Sequence, residues 1–206
     1  MDESLEVRRF WFGKGPLTLE SVDERQRLWF GAGVSREELR ALDELIRTRY
    51  GRLCERAASG SLGAWADSPH RRLSLILLLD QFPRHLYRGT ARAFATDDAA
   101  LALALSGMQA AADAALSPIE RIFFYMPLQH AERLDAQDES VAAYRRLLAE
   151  APGPRPVFMG ALESAERHRA IVVRFGRFPH RNLALGRANT PEEAAYLARG
   201  ARRFGQ

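Results

Sequence analysis

The chain has 206 residues, 47% of them apolar, enough for a sizeable core in one domain, 1–206, or for one elongated helical array. The formal charge is +4, and of 30 basic residues only Lys14 is lysine, so the chain is rich in guanidinium forks suited to carboxylates and phosphates. The single Cys54 excludes an internal disulfide and a Cys-based zinc site and fits a reducing cytoplasm; the acidic start (Asp2, Glu3, Glu6) is not the pattern of a secretory signal; and no apolar run is long enough to cross a bilayer.

Ser4 to Phe12 has the pattern of a short helix with Leu5, Val7, Phe10, Trp11 and Phe12 on a broad apolar face, closed by Gly13, Gly15 and Pro16. Gly13-Lys14-Gly15 lacks the rest of a phosphate loop. Ser21 with Glu24 is a weak capping box for a helix reaching Phe30. Ser35 with Glu38 is a better one, and the helix behind it carries Leu39, Leu42, Leu45, Ile46, Leu53, Cys54 and Ala57 before Gly60 closes it. Trp11, Trp29 and Trp65 are most simply core anchors.

Ser68-Pro69 starts the central helix, with proline where its missing N–H costs nothing. Leu75 to Leu79 are apolar without a break, so this segment has no exposed face, and Asp80 follows it directly. A carboxylate drawn into the core this way needs partners, because an unpaired buried charge is costly. Pro83 is expected to stop the helix, since the residue before a proline is pushed away from helical geometry. Arg84 to Ala95 is then a connector, and Asp97 caps an Ala-rich helix, Asp98 to Ala112.

Ser117-Pro118-Ile119-Glu120 combines a cap, a proline start and a capping box; Pro127 interrupts or kinks the aromatic helix behind it, which continues from Leu128 to Ala136. Asp138 to Glu150 is amphipathic. Ala151 to Pro156 is a linker or sharp turn, Val157 to Phe175 a long helix, Gly176 to Ala188 an irregular basic loop, and Thr190-Pro191-Glu192-Glu193 opens a last helix to about Arg203. No strand alternation occurs, so the expected fold is all-α: roughly nine to eleven helices, stacked as antiparallel hairpins in a solenoid-type array or bundle. Gln81-Phe82-Pro83-Arg84-His85 and Arg177-Phe178-Pro179-His180-Arg181, each ahead of an acid-started helix, hint at an internal repeat relating about 76–112 and 171–203, whose two loops could face each other across one pocket.

The polar residues that could carry chemistry are Asp80, Gln81, Arg84 and Arg88; His130, Glu132 and Gln137; His168; and Arg177, His180, Arg181, Asn182 and Arg187. One reading gives them a shared pocket able to hold an anion or move protons. The other makes them buried ion pairs and helix-end bonds that fix how helices stack. His130 with Arg133 and Gln137 would share a helical stripe, whereas His130 and Glu132 would not share a face. There is no His-Glu-x-x-His and the histidines are far apart in sequence, so no metal is expected, and no motif asks for a cofactor. No nucleophile elbow is present. The Arg residues are scattered rather than set in a stripe, which argues against a nucleic-acid partner.

Taken in order, Leu79-Asp80-Gln81-Phe82-Pro83-Arg84, Phe94-Ala95-x-Asp97, Phe124-Tyr125-Met126-Pro127-Leu128-x-His130-Ala131-Glu132 and Phe175-Gly176-Arg177-Phe178-Pro179-His180-Arg181-Asn182, with Leu185-Gly186-Arg187 and Thr190-x-Glu192-Glu193, resemble the mainly bacterial domain of unknown function 924 family. The resemblance runs from Phe10-Trp11-Phe12 to Phe204-Gly205-Gln206. It implies a helical fold similar to the tetratricopeptide-repeat superfamily and transfers no activity. One departure is Ala131, where that family often has Ser.

Three functional expectations stand side by side. The first is a cytoplasmic scaffold holding an anionic small molecule or acidic peptide in a groove lined by Gln81, Arg84, Arg177, His180, Arg181, Asn182 and Arg187. The second is a hydrolase or other acid/base enzyme using His130, Glu132, Asp80 and His180, which requires two of these to approach closely. The third is an interaction module with purely structural polar loops, which requires an exposed apolar patch or a stable homo-oligomer.

Overall fold

The computed structural model describes residues 2–15, 19–151 and 155–200. Its helices are α1 (Glu3–Phe12), α2 (Leu19–Phe30), α3 (Arg36–Ala58), α4 (Pro69–Ile76), α5 (Phe82–Leu86), α6 (Asp97–Gln109), α7 (Pro118–His130), α8 (Leu134–Glu150), α9 (Arg155–Phe175) and α10 (Pro191–Ala198). A π-helical turn, Leu77–Gln81, joins α4 to α5 without a break, so counting that rod once gives nine helices among the described residues, with no strand.

Local side chains decide where helices start. Reciprocal capping boxes open α3 (Ser35 with Glu38), α7 (Ser117 with Glu120) and α10 (Thr190 with Glu193), satisfying backbone donors that have no partner within the helix. Asp2 does the same for α1, accepting from the Ser4 N–H at 3.0 Å. The Ser21–Glu24 reading fails differently: α2 already begins at Leu19, and the Ser21 side chain lies outside the described residues.

The α4–α5 rod is the centre of the molecule. Leu73, Ile76, Leu77 and Leu78 have no exposed surface, and α1, α3, α6 and α7 pack around them. Phe82 packs against Trp11 and Tyr50, with ring centroids 5.2 and 5.0 Å away. Small residues let the next layer close in. At Gly107 of α6 an added methyl would sit 2.6 Å from the Phe124 Cζ and 2.8 Å from the Arg72 Cδ, so only glycine fits there. Beyond this centre, α7, α8 and α9 pack against one another in chain order.

Pro83 does not stop the central helix. A proline inside a helix removes one backbone donor and crowds the carbonyl four residues back, here Leu79. The π turn accommodates both effects: the Phe82 N–H bonds the Leu77 carbonyl, one residue further back than in an α-helix. The Leu79 carbonyl then accepts from the Thr96 hydroxyl at 2.5 Å. Thr96→Val should therefore cost about 1–3 kcal/mol by leaving that carbonyl without a partner. In a Pro83→Ala background, where residue 83 regains an N–H, chemical denaturation should show a smaller cost; an equal cost in both backgrounds would sink this account.

Other expectations are also corrected. Asp97 is the first residue of α6 rather than its cap, because its carboxylate is drawn to two arginines, and α6 ends at Gln109. Pro127 lies within α7, and the helix stops at His130 instead of continuing to Ala136; the Gln137 amide donates to the Gln129 and Ala131 carbonyls at 2.7 and 2.8 Å and so caps that end. His130 and Gln137 consequently lie on different helices, α7 and α8, and share no stripe. Pro156 falls in the first turn of α9, and the last helix ends at Ala198, short of the expected Arg203, with Arg199 and Gly200 in a turn; 152–154 and 201–206, including Phe204-Gly205-Gln206, lie outside the described residues.

Candidate functional site

Asp80 sits in the π turn with no exposed surface. Its carboxylate accepts from the His130 Nδ1 at 2.7 Å and from the Gln81 amide, and the Arg84 guanidinium lies 3.4 Å away. Burial by itself would raise the Asp80 carboxyl, but Arg84, then His130 and Gln81, outweigh it and hold the group well below the usual carboxylate range. His130 is lowered too, but by burial, helped by the Arg84 charge and in spite of Asp80. The pair is thus a carboxylate accepting from a neutral imidazole.

Arg84 extends the network, donating to both Asp97 oxygens at 3.0 and 3.1 Å. Arg181 donates to the same carboxylate at 3.2 Å while its guanidinium lies 4.6 Å from the Phe94 and Phe178 ring centres. Burial lowers Arg181 to about 10, with Arg84 adding to the effect, so it remains a cation at neutral pH. The two aromatic-proline-basic segments therefore meet, with Asp97 shared between them.

A cavity of about 920 Å³ opens against this network. Its apolar wall includes Trp29 and Phe30 of α2, Ile122, Phe123 and Met126 of α7, and Val157 and Ala161 of α9. Its polar wall carries Gln81, Arg84, His85, Arg88, Gln129, His130, Ser164, Arg167 and His168. Among the described residues three arginines and three histidines line it, and no carboxylate does. The partner carboxylates Asp80 and Asp43 are buried and do not line it; Asp43 accepts from Arg88 at 2.9 and 3.0 Å and contacts the His85 Nδ1 at 2.9 Å. Burial, reinforced by the nearby His130, lowers His168 to about 3, so it is neutral, and its Nδ1 donates to the Ser164 carbonyl at 2.7 Å. A smaller hollow of about 280 Å³ at Pro118, Arg121, Leu147, Glu150 and Ala151 has no comparable cluster.

The sequence-derived candidates divide. Gln81, Arg84 and His130 line the cavity and Asp80 stands behind His130. Glu132, Arg177, His180, Arg181, Asn182 and Arg187 are not on its wall. Most of them tie down the C-terminal loop. Arg187 forks onto Glu132 at 2.6 and 2.9 Å, Glu132 accepts from the Phe178 N–H at 2.7 Å, and Arg177 forks onto Glu193 at 2.6 and 2.8 Å. Asn182 donates to Asn189 at 2.7 Å, and His180 packs near Phe178, its basicity lowered to about 3 by burial and then by Arg181. Cys54 is buried and its thiol pushed up to about 12 by burial, so it is no nucleophile at neutral pH.

Sequence reasoning overlooked Asp43, His85 and Gln129. Asp43 had a readable signal: it falls on the Leu39–Leu42–Ile46 stripe, a charge on an apolar helix face. Gln129 had none beyond its place beside His130, yet it is buried in the cavity wall and its Oε1 has no hydrogen-bond partner among the described residues. Among the described residues no group of three or more His, Cys, Asp or Glu side chains is placed to hold a metal ion, and no helix is long and apolar enough to cross a membrane.

Comparison with known proteins agrees with this architecture. The chain is 37% identical to a protein of unknown function, ATU0120, from Agrobacterium tumefaciens, whose structure superposes with a TM-score of 0.77, covering 96% of this chain and 97% of that one. No curated protein matches the chain. The model of a family described as "Bacterial protein of unknown function (DUF924)" matches residues 7–201, nearly the whole chain, and the protein therefore belongs to that family.

Proposed function

We propose that the protein binds, in the cytoplasm, a small molecule that combines an anionic group with an apolar body, held in the cavity between α2, the α4–α5 rod, α7 and α9. The observation that carries this reading is the lining: cations and imidazoles together with aromatic and aliphatic side chains, and no carboxylate among the described residues. A guanidinium whose carboxylate partner lies behind it still presents positive potential forward. The volume, about 920 Å³, suits a small molecule better than an extended acidic peptide. In this reading the helices form a tetratricopeptide-like stack, an architecture whose concave faces serve as binding surfaces.

Gly160 of α9 offers the test. It lines the cavity, and a Cβ added there meets nothing within 4 Å. Gly160→Trp should fold as well as the wild type and fill the mouth. Thermal unfolding is to be followed with suberate, octanoate and octyl phosphate at low and high salt. A ligand at a hundred times its Kd adds about 2.7 kcal/mol of stability. The wild type should gain several degrees in Tm, less at high salt, and Gly160→Trp should gain none. No shift with any of the three, or an unchanged shift in Gly160→Trp, overturns the proposal.

A further inference from the structure

We propose that His130, oriented by Asp80, is the general base of an ester hydrolase whose substrate occupies this cavity, an inference that rests on the binding reading above. Asp80 engages the Nδ1 of His130 at 2.7 Å, so Nε2 is the nitrogen left to the cavity that the residue lines. A buried carboxylate on one imidazole nitrogen fixes the tautomer and leaves the other with a lone pair, the arrangement of a proton acceptor.

A water molecule in the cavity that donates one hydrogen to the His130 Nε2 is held there for attack.

The water oxygen forms a bond to the acyl carbon while His130 takes one of its protons. Arg84, the neighbouring cation on the same wall, offsets the charge that develops on the carbonyl oxygen. The tetrahedral adduct collapses, the bond to the leaving oxygen breaks, and the proton on His130 passes to that oxygen. Ester and water become carboxylic acid and alcohol, and no other reactant is needed. The titratable and charged groups around His130 are Asp80 and Arg84 on the rod, Asp97 on α6, His180 of the C-terminal loop, and His168 of α9 at a centroid distance of 6.0 Å.

The probe is mono-p-nitrophenyl suberate, which has a carboxylate at one end, an apolar chain and a cleavable ester. The wild type should release nitrophenol in proportion to enzyme, with a rate that rises with pH through a single limb. His130→Ala should lose about 10²–10⁴-fold in kcat and regain part of it when imidazole is added, with circular dichroism unchanged. Asp80→Asn should lower kcat and move the limb to lower pH, since the carboxylate is what holds the imidazole's basicity up; a merely structural Asp80 would leave the limb in place. Turnover in His130→Ala equal to the wild type overturns the proposal. Absence of turnover while suberate still raises the Tm overturns the base and leaves the binding reading standing; absence of both overturns the two together.

Discussion

Arg84→Ala is expected to lower the unfolding free energy by about 3–5 kcal/mol at neutral pH, the usual cost of breaking a buried ion pair from one side. Arg84 donates to both Asp97 oxygens, to the Ala93 carbonyl at 3.3 Å and to the Asp80 carbonyl, and it is the cation nearest the fully buried Asp80 carboxylate. Without it Asp80 keeps only a neutral imidazole and an amide, while Asp97 still has Arg181. Most of the cost is therefore the stranded Asp80 charge.

The dependence on pH separates this from a simple loss of packing. In the wild type Asp80 is held below its unfolded value, so its contribution is complete above about pH 4 and is lost as pH falls further. In Arg84→Ala burial dominates and raises the carboxyl above its unfolded value. The variant then loses stability as pH rises through that raised value, and the gap between the proteins narrows in acid. Urea denaturation at pH 7 and pH 4 reads the difference, and an equal gap at both would reject the ion-pair account. Adding Asp80→Asn to Arg84→Ala should return part of the loss, because the buried charge is then gone.

Phe82→Ala should cost a comparable amount, about 3–5 kcal/mol, for a different reason. Phe82 has no exposed surface and joins three elements: its ring meets Trp11 and Phe10 of α1, at 5.2 and 6.1 Å, and Tyr50 of α3 at 5.0 Å. Removing it opens a cavity walled by large aromatic rings that cannot all close in. This cost should be nearly independent of pH, in contrast to Arg84→Ala. Phe82→Leu should recover much of it, since it restores most of the apolar volume. If Phe82→Ala loses less than about 1 kcal/mol, the rod is not the organising centre.

The helices, their capped starts and the central place of Leu73–Asp80 were legible from local pattern. Ser35–Glu38, Ser117–Glu120 and Thr190–Glu193 work within a single turn, so spacing alone identifies them. The passage of the helix through Pro83 was not legible. It depends on a π turn and on the Thr96 hydroxyl, which arrives from 17 residues away to serve the Leu79 carbonyl. The same holds for the end of α7, which is fixed by Gln137 of the next helix.

For the site, the sequence by itself determined that Asp80 is buried, because it follows an apolar run with no face to spare, and that arginines must answer it. Only the tertiary structure decided which ones: Arg84 within the rod and, through Asp97, Arg181 from 84 residues beyond that aspartate. It also decided that His130 rather than Glu132 meets Asp80, since the chain turns away between them at the end of α7. Periodicity reports which face of a helix is apolar. It cannot report where two faces fail to meet, and the cavity is such a place, between α2, the rod, α7 and α9.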